Sequence, residues 1–272
     1  MQGQAHSHDC ATTFKESLLI LLFEFLGTML LTGLFISCYS AAGGLVGLLC
    51  GFFILLIFSA RISGSHFNPA ITLAFMFRRD TGRFSRLLGL LYIAAQYAGA
   101  LLGAIIVYNL FQAHPAIGAP LSVLKNNDGD KLIIQAMIQE LIGGMIITFL
   151  YLTQTEEKTK MSGDPAITTL IIAATYTAVV GYTESTLVMT GSPFNPAAAL
   201  GLFFAILFDS DIDDTDNIWI FFIFSYVGAM CATLLFEYVY KRAIVVSEEH
   251  DEAMESPRAE EEAQFLESPT DK

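Results

Sequence analysis

The tetrapeptide Phe-Asn-Pro-Ala occurs twice in this chain, at residues 67–70 and 194–197, 127 positions apart. Each copy follows a Gly-containing apolar segment and leads into a short apolar run, 71–77 in the first half and 198–208 in the second. Recurrence of one string in matching contexts of two halves marks an internally duplicated membrane protein. The string itself starts helices. Asn is a favoured N-cap, and Pro suits the first helical position because it has no N–H to satisfy. Each half is therefore predicted to contain a helix that begins abruptly inside the membrane.

Composition agrees with a bilayer as solvent. The 272 residues are 54% hydrophobic and only 15% charged, with a mean hydropathy of +0.55. A soluble chain of this length needs more polar surface. A hydrocarbon core of roughly 30 Å takes about 20 apolar residues per helix. Six stretches qualify, at approximately 17–39, 43–60, 86–110, 132–153, 166–187 and 217–240. The runs at 68–77 and 195–207 are too short to span and read as re-entrant half-helices. Irregular backbone at that depth is tolerated only where it lines a cavity or is buried in protein. The expected fold is an all-α membrane protein, a bundle of six transmembrane helices plus two re-entrant half-helices.

Basic residues orient the bundle. Arg78, Arg79, Arg83, Arg86, Lys158, Lys160, Lys241, Arg242 and Lys15 fall on one side, against Lys125 and Lys131 on the other. The positive-inside rule then places both termini in the cytoplasm. The polar residues 1–14 precede an apolar stretch long enough to be an anchor rather than a cleaved signal. Much of the net charge of −13 sits in residues 247–272, where ten acidic residues face two basic ones. That tail reads as disordered, with Ser256-Pro257 and Ser268-Pro269 as either phosphorylation sites or spacers. The acidic run Asp209, Asp211, Asp213, Asp214 and Asp216 lacks the Gly and terminal Glu of an EF-hand and reads as a solvated loop. The four cysteines show no metal spacing, and His6, His8 and Cys10 lie on a polar segment poorly suited to holding a metal. No metal, cofactor, catalytic residue or nucleic-acid partner is expected. The divisions are a cytoplasmic segment at 1–16, a channel domain at 17–240 with repeats at about 17–110 and 132–240, and the acidic tail at 241–272.

Several segments together resemble the aquaporin, or major intrinsic protein, family. These are Phe23-Glu24-Phe25-Leu26-Gly27-Thr28, the loop from Ser63 to Thr72, Tyr92-Ile93-Ala94-Ala95-Gln96 with Gly99 and Gly103, and the loop from Thr190 to Ala197. The resemblance implies an inverted-repeat bundle, passive conduction and a homotetramer.

The chemistry of the paired motif follows from its residues. An N-capping Asn accepts from first-turn N–H groups with its side-chain carbonyl, so its NH₂ can only donate. Two such groups, from Asn68 and Asn195, would meet near the midplane beside Pro69, Ala70, Pro196 and Ala197. Both half-helices also aim their positive dipole ends there. A water at that point turns its oxygen to the donors, which breaks a proton-hopping chain, and the positive field disfavours cations. Glu24 and Glu140 are intramembrane carboxylates, costly unless hydrogen-bonded. They read as structural, each accepting N–H bonds from the irregular backbone before a half-helix. Gly27, Gly99, Gly103, Gly143, Gly144 and Gly228 are expected at close helix contacts.

The sequence departs from the family where solutes are selected. The family usually follows its second motif with Arg; here the position is Ala198. Ungapped alignment puts the other constriction positions at Leu48, Thr183 and Ser192, and a one-residue shift replaces Thr183 by Tyr182. The usual constriction His is absent as well. Arg61 and His66 are expected near the cytoplasmic vestibule, although Arg61 could equally reach inner headgroups. The expected function is passive conduction of water, and of small uncharged solutes such as glycerol or urea, with protons and ions excluded. The partners are water, those solutes and the lipid bilayer, of the plasma membrane or an intracellular vacuole or organelle. The alternatives are a secondary transporter, or a structural or junctional membrane protein with a closed pore.

Overall fold

The structure is a computed structural model that describes residues 3–39, 44–79, 84–111, 121–125, 128–184, 189–206 and 216–250. Its helices are α1 (Gly3–Tyr39), α2 (Gly44–Ser59), α3 (Pro69–Phe77), α4 (Arg86–Phe111), α5 (Ile133–Thr155), α6 (Pro165–Glu184), α7 (Pro196–Ile206) and α8 (Trp219–Leu235). A π-helical turn, Phe236–Tyr240, follows α8, and the chain stays helical to His250. Five of these stretches are long and apolar enough to cross a membrane; α2 is apolar but shorter. Helices therefore lie at all six expected positions and at both half-helices, with α2 shorter than a full span.

Two boundaries differ from expectation. Residues 3–16 continue α1 instead of forming a separate segment, and 241–250 extend the last helix although they belong to the expected disordered tail. The side chains of His6, His8 and Cys10, residues 209–214 of the acidic run, and both Ser-Pro pairs lie outside the described residues. Among the described residues no cluster of three or more His, Cys, Asp or Glu could hold a metal.

The packing is two-fold. Helix α1 packs on α4 as α5 packs on α8, α1 on α2 as α5 on α6, and α2 meets α6. Half-helix α3 contacts α5 and α8 of the opposite half, while α7 contacts α1 and α4. Tyr97 of α4 and Tyr226 of α8 occupy equivalent places, and their hydroxyls meet at 2.9 Å. Small residues make the tightest contacts possible. A Cβ on Gly99 would lie 2.2 Å from the Phe25 carbonyl oxygen, one on Gly103 2.2 Å from that of Met29, and one on Gly228 2.3 Å from that of Leu141. Any side chain there would push the helices apart. Gly27 and Gly143 act differently from expectation: they face aromatic rings, of Phe67 and Phe194, rather than a helix backbone.

At the end carrying Arg78 and Lys241, here the basic end, an ion network ties three elements together. Arg78, just past α3, pairs with Glu156 and with Glu237. Lys241 reaches Glu156 at 2.9 Å and Glu237 at 3.1 Å. At the opposite end the two-residue strands β1 (Ser122–Val123) and β2 (Met189–Thr190) pair antiparallel and join the loops of the two halves.

Candidate functional site: the paired Asn-Pro-Ala loops

Both half-helices begin as the residue order dictates. Asn68 holds an extended backbone, with φ −148° and ψ 117°, and its Oδ1 accepts from the Ala70 N–H. Oδ1 of Asn195 accepts from Ala197 N–H at 3.0 Å and Ala198 N–H at 3.3 Å. The NH₂ groups are not wholly free. Asn68 Nδ2 donates to the Phe194 carbonyl at 3.0 Å, and Asn195 Nδ2 donates to the Phe67 carbonyl at 2.8 Å. One hydrogen of each amide is thereby fixed on the opposite loop. One remains for a guest at the junction.

This mutual bond requires an unusual backbone. Phe67 and Phe194 both sit at φ 47°, a left-handed conformation that costs a non-Gly residue about 1–3 kcal/mol. Ring burial offsets the cost. Each ring fills a notch that only Gly leaves open: a Cβ on Gly27 would lie 1.9 Å from the Phe67 ring, and one on Gly143 2.3 Å from the Phe194 ring. The sequence reading missed this role because Phe-Asn-Pro-Ala carries no sign of positive φ.

Glu24 and Glu140 are both fully buried. Glu24 accepts from the Ser63 hydroxyl at 2.6 Å, the His66 N–H at 3.0 Å, the Phe67 N–H at 2.8 Å and Gln96 Nε2 at 2.7 Å. It thus holds the loop before α3. Glu140 differs from expectation, accepting from two hydroxyls, Ser192 and Ser225, each at 2.5 Å. Pro193 stands where His66 stands in the first half and has no N–H to offer. The Phe194 N–H turns to the Ser192 hydroxyl at 3.2 Å, so the link from carboxylate to backbone runs through that side chain.

A cavity of about 350 Å³ opens toward the basic end, with Leu56, Ala60, His66, Tyr151, Thr169 and Ile172 among its walls. His66 is packed edge and face among Phe75, Phe84, Tyr92 and Tyr151. Its Nδ1 lies 3.1 Å from the Thr72 hydroxyl. Tyr151 bonds the Gly64 carbonyl through its hydroxyl. Arg61 is absent from the walls, which Ala60 supplies, and its side chain is exposed. Arg61 is thus not part of this cavity, and its exposure fits either of the two expected placements.

Of the five outer candidates, Leu48, Thr183, Ser192 and Ala198 are buried. Tyr182 is 67% exposed where Thr183 is buried, and both border a groove between α5 and α6, so burial favours Thr183 as the inward position. One residue along a helix turns the side chain by about 100°, which takes Tyr182 off the inner face. The Thr183 hydroxyl donates to the Val180 carbonyl at 2.7 Å, and that of Ser192 to Glu140. Neither hydroxyl hydrogen is available to a guest, and Leu48 and Ala198 have none.

This arrangement defines a multi-pass bundle of two inverted repeats whose half-helices meet N-terminus to N-terminus. The sequence model of the major intrinsic protein family matches residues 12–236, and the chain belongs to that family. It is 31% identical over 216 residues to an aquaporin PIP-type of Atriplex canescens, covering 75% of this chain and 71% of the relative. It is 29% identical over 207 residues to aquaporin PIP2-7 of Musa acuminata, covering 74% and 70%. In fold it is similar to the aquaglyceroporin from Plasmodium falciparum, with a TM-score of 0.68 at 21% identity, over 85% of this chain and 99% of that one.

Proposed function

We propose that this protein is a passive transmembrane channel for water and small uncharged solutes that excludes protons and ions. The observation that carries this reading is the reciprocal bonding of Asn68 and Asn195 to the Phe194 and Phe67 carbonyls. It fixes two donors at the meeting point of two positive helix ends. A water there accepts, and its own hydrogens face outward along the file in both directions, so no proton passes by hopping. Leu48, Thr183, Ser192 and Ala198 form a neutral outer ring with neither Arg nor His, which relaxes selection against solutes larger than water.

A secondary transporter needs a buried ionisable group free to load and unload. Glu24 and Glu140 hold loop and helix donors instead, which favours the channel. A homotetramer in the bilayer is consistent with family membership, and the Lys and Arg distribution supports cytoplasmic termini. The test is stopped-flow light scattering on proteoliposomes under water, urea and glycerol gradients. Flux no greater than through empty vesicles would sink the channel reading and favour a closed, structural protein.

A further inference from the structure

The cavity at the basic end has walls on α2 and α6. It touches Leu56 of α2 and Ala60 just past that helix, and Thr169 and Ile172 of α6. Residues three or four apart share a helix face. One turn farther from the basic end, the same faces carry Phe52 on α2 and Tyr176 on α6. A further turn or two reaches Leu48 and Thr183. A path continued along these faces from the cavity toward the outer positions would meet Phe52 and Tyr176.

These two side chains meet. Their ring centroids are 5.0 Å apart, with planes inclined at 53°. Phe52 is 4% exposed and Tyr176 2%. The Tyr176 hydroxyl donates to the Pro193 carbonyl at 2.7 Å, two residues before Asn195. Tyr176 thus reaches from α6 to the chain that leads into the second half-helix, and Phe52 closes the α2 side. Both rings are held at fixed points, one by a hydrogen bond and one by packing, and at this spacing they touch, so the pair forms one rigid wall that narrows whatever path runs beside it. The four outer positions offer less bulk and no free donor.

We propose that the Phe52–Tyr176 pair is the size-determining constriction of this channel, set inside the outer ring, and that it admits small uncharged solutes by cross-section. This rests on the channel reading above. The Tyr176 hydroxyl hydrogen is committed to Pro193, so toward the path the residue offers a ring and an accepting oxygen only. Selection at that point is steric.

The experiment compares purified wild type, Phe52→Ala, Tyr176→Ala, Tyr176→Leu, Tyr176→Phe and Tyr176→Cys in proteoliposomes. Water, urea and glycerol permeabilities are read by stopped flow. The glycerol-to-water ratio is expected to rise several-fold in Phe52→Ala, Tyr176→Ala and Tyr176→Leu, and to stay near wild type in Tyr176→Phe, which keeps the ring. Water flux through Tyr176→Cys is expected to be blocked by a membrane-impermeant methanethiosulfonate that leaves wild type untouched. If the alanine variants do not elute as wild type does, the Leu variant and the thiol block decide. Variants that conduct where wild type does not would also support the pair as the narrowest point. Normal water flux with unchanged ratios and no thiol block overturns the proposal and leaves the channel reading intact. No water flux through wild type or any variant overturns both.

Discussion

Asn195 reaches across the repeat boundary to the Phe67 carbonyl, 2.8 Å from its Nδ2. One side chain therefore does two jobs. Its oxygen caps α7, and its amide fixes the loop before α3. Asn68 does the same in reverse. Neither amide can rotate without breaking a cap and a cross-loop bond together, so the remaining donor hydrogens are held in direction as well as in position.

Asn68→Asp and Asn195→Asp are expected to fold poorly and to leak ions. A carboxylate oxygen would then face the Phe194 or Phe67 carbonyl, acceptor against acceptor, and put negative charge where two positive helix ends meet. The measurement is cation and proton leak under an imposed potential in vesicles, beside thermal stability in detergent. Well-folded Asp variants with wild-type ion exclusion would show that the barrier lies elsewhere.

Water flux is expected to show a low activation energy, close to that of free diffusion. The two Asn are already in place and no alternating cycle is needed. Rates between 5 and 35 °C, taken on the same vesicles, give the slope. A steep slope would indicate a conformational carrier.

Ala198→Arg is expected to lower urea and glycerol permeability more than water permeability. A guanidinium adds bulk and five donors to a ring that has none free. Proton exclusion is expected to be unchanged, since the Asn pair supplies it separately. Equal solute-to-water ratios in the two proteins would place Ala198 away from the path.

Glu24→Gln is expected to destabilise the fold more than Glu140→Gln. An amide can accept on one side only, and at Glu24 either orientation leaves one backbone N–H, of His66 or of Phe67, without an acceptor. An orphaned buried donor costs about 1–3 kcal/mol. At Glu140 both donors are hydroxyls, which can turn and accept from the new NH₂. Thermal unfolding of both variants in one detergent makes the comparison.

Arg78→Ala is expected to cost about 1–3 kcal/mol, because it takes from buried Glu237 one of the two ion-pair partners seen among the described residues, Lys241 remaining. The Arg78 and Glu237 side chains are 9% and 4% exposed, so added salt should recover little of the loss. A melting curve with and without salt checks both statements.

The spans, the half-helices and the capping Asn were legible because each rests on local chemistry: apolar length, a capping side chain, a proline at the first helical position. The close contacts at Gly99, Gly103 and Gly228 were legible for the same reason. The positive φ at Phe67 and Phe194 was not, because it is imposed by a carbonyl acceptor role in the other half, more than a hundred residues away. The uneven coordination of Glu140 turned on one residue, Pro193, whose missing N–H mattered only once its partner was known. Tyr182 and Thr183 could not be told apart without the helix phase. Phe52 and Tyr176 looked like ordinary aromatic residues in apolar spans, and only the cavity wall gave them a direction.

The donors to Glu24 are Ser63, the His66 and Phe67 amides and Gln96, all within the first repeat, and those to Glu140 are Ser192 and Ser225, within the second. Each repeat thus neutralises the cost of its own intramembrane acid without help from the other. During synthesis the first repeat can settle in the lipid before the second has left the ribosome. What waits for completion is the docking of Asn68 and Asn195 onto each other's loops.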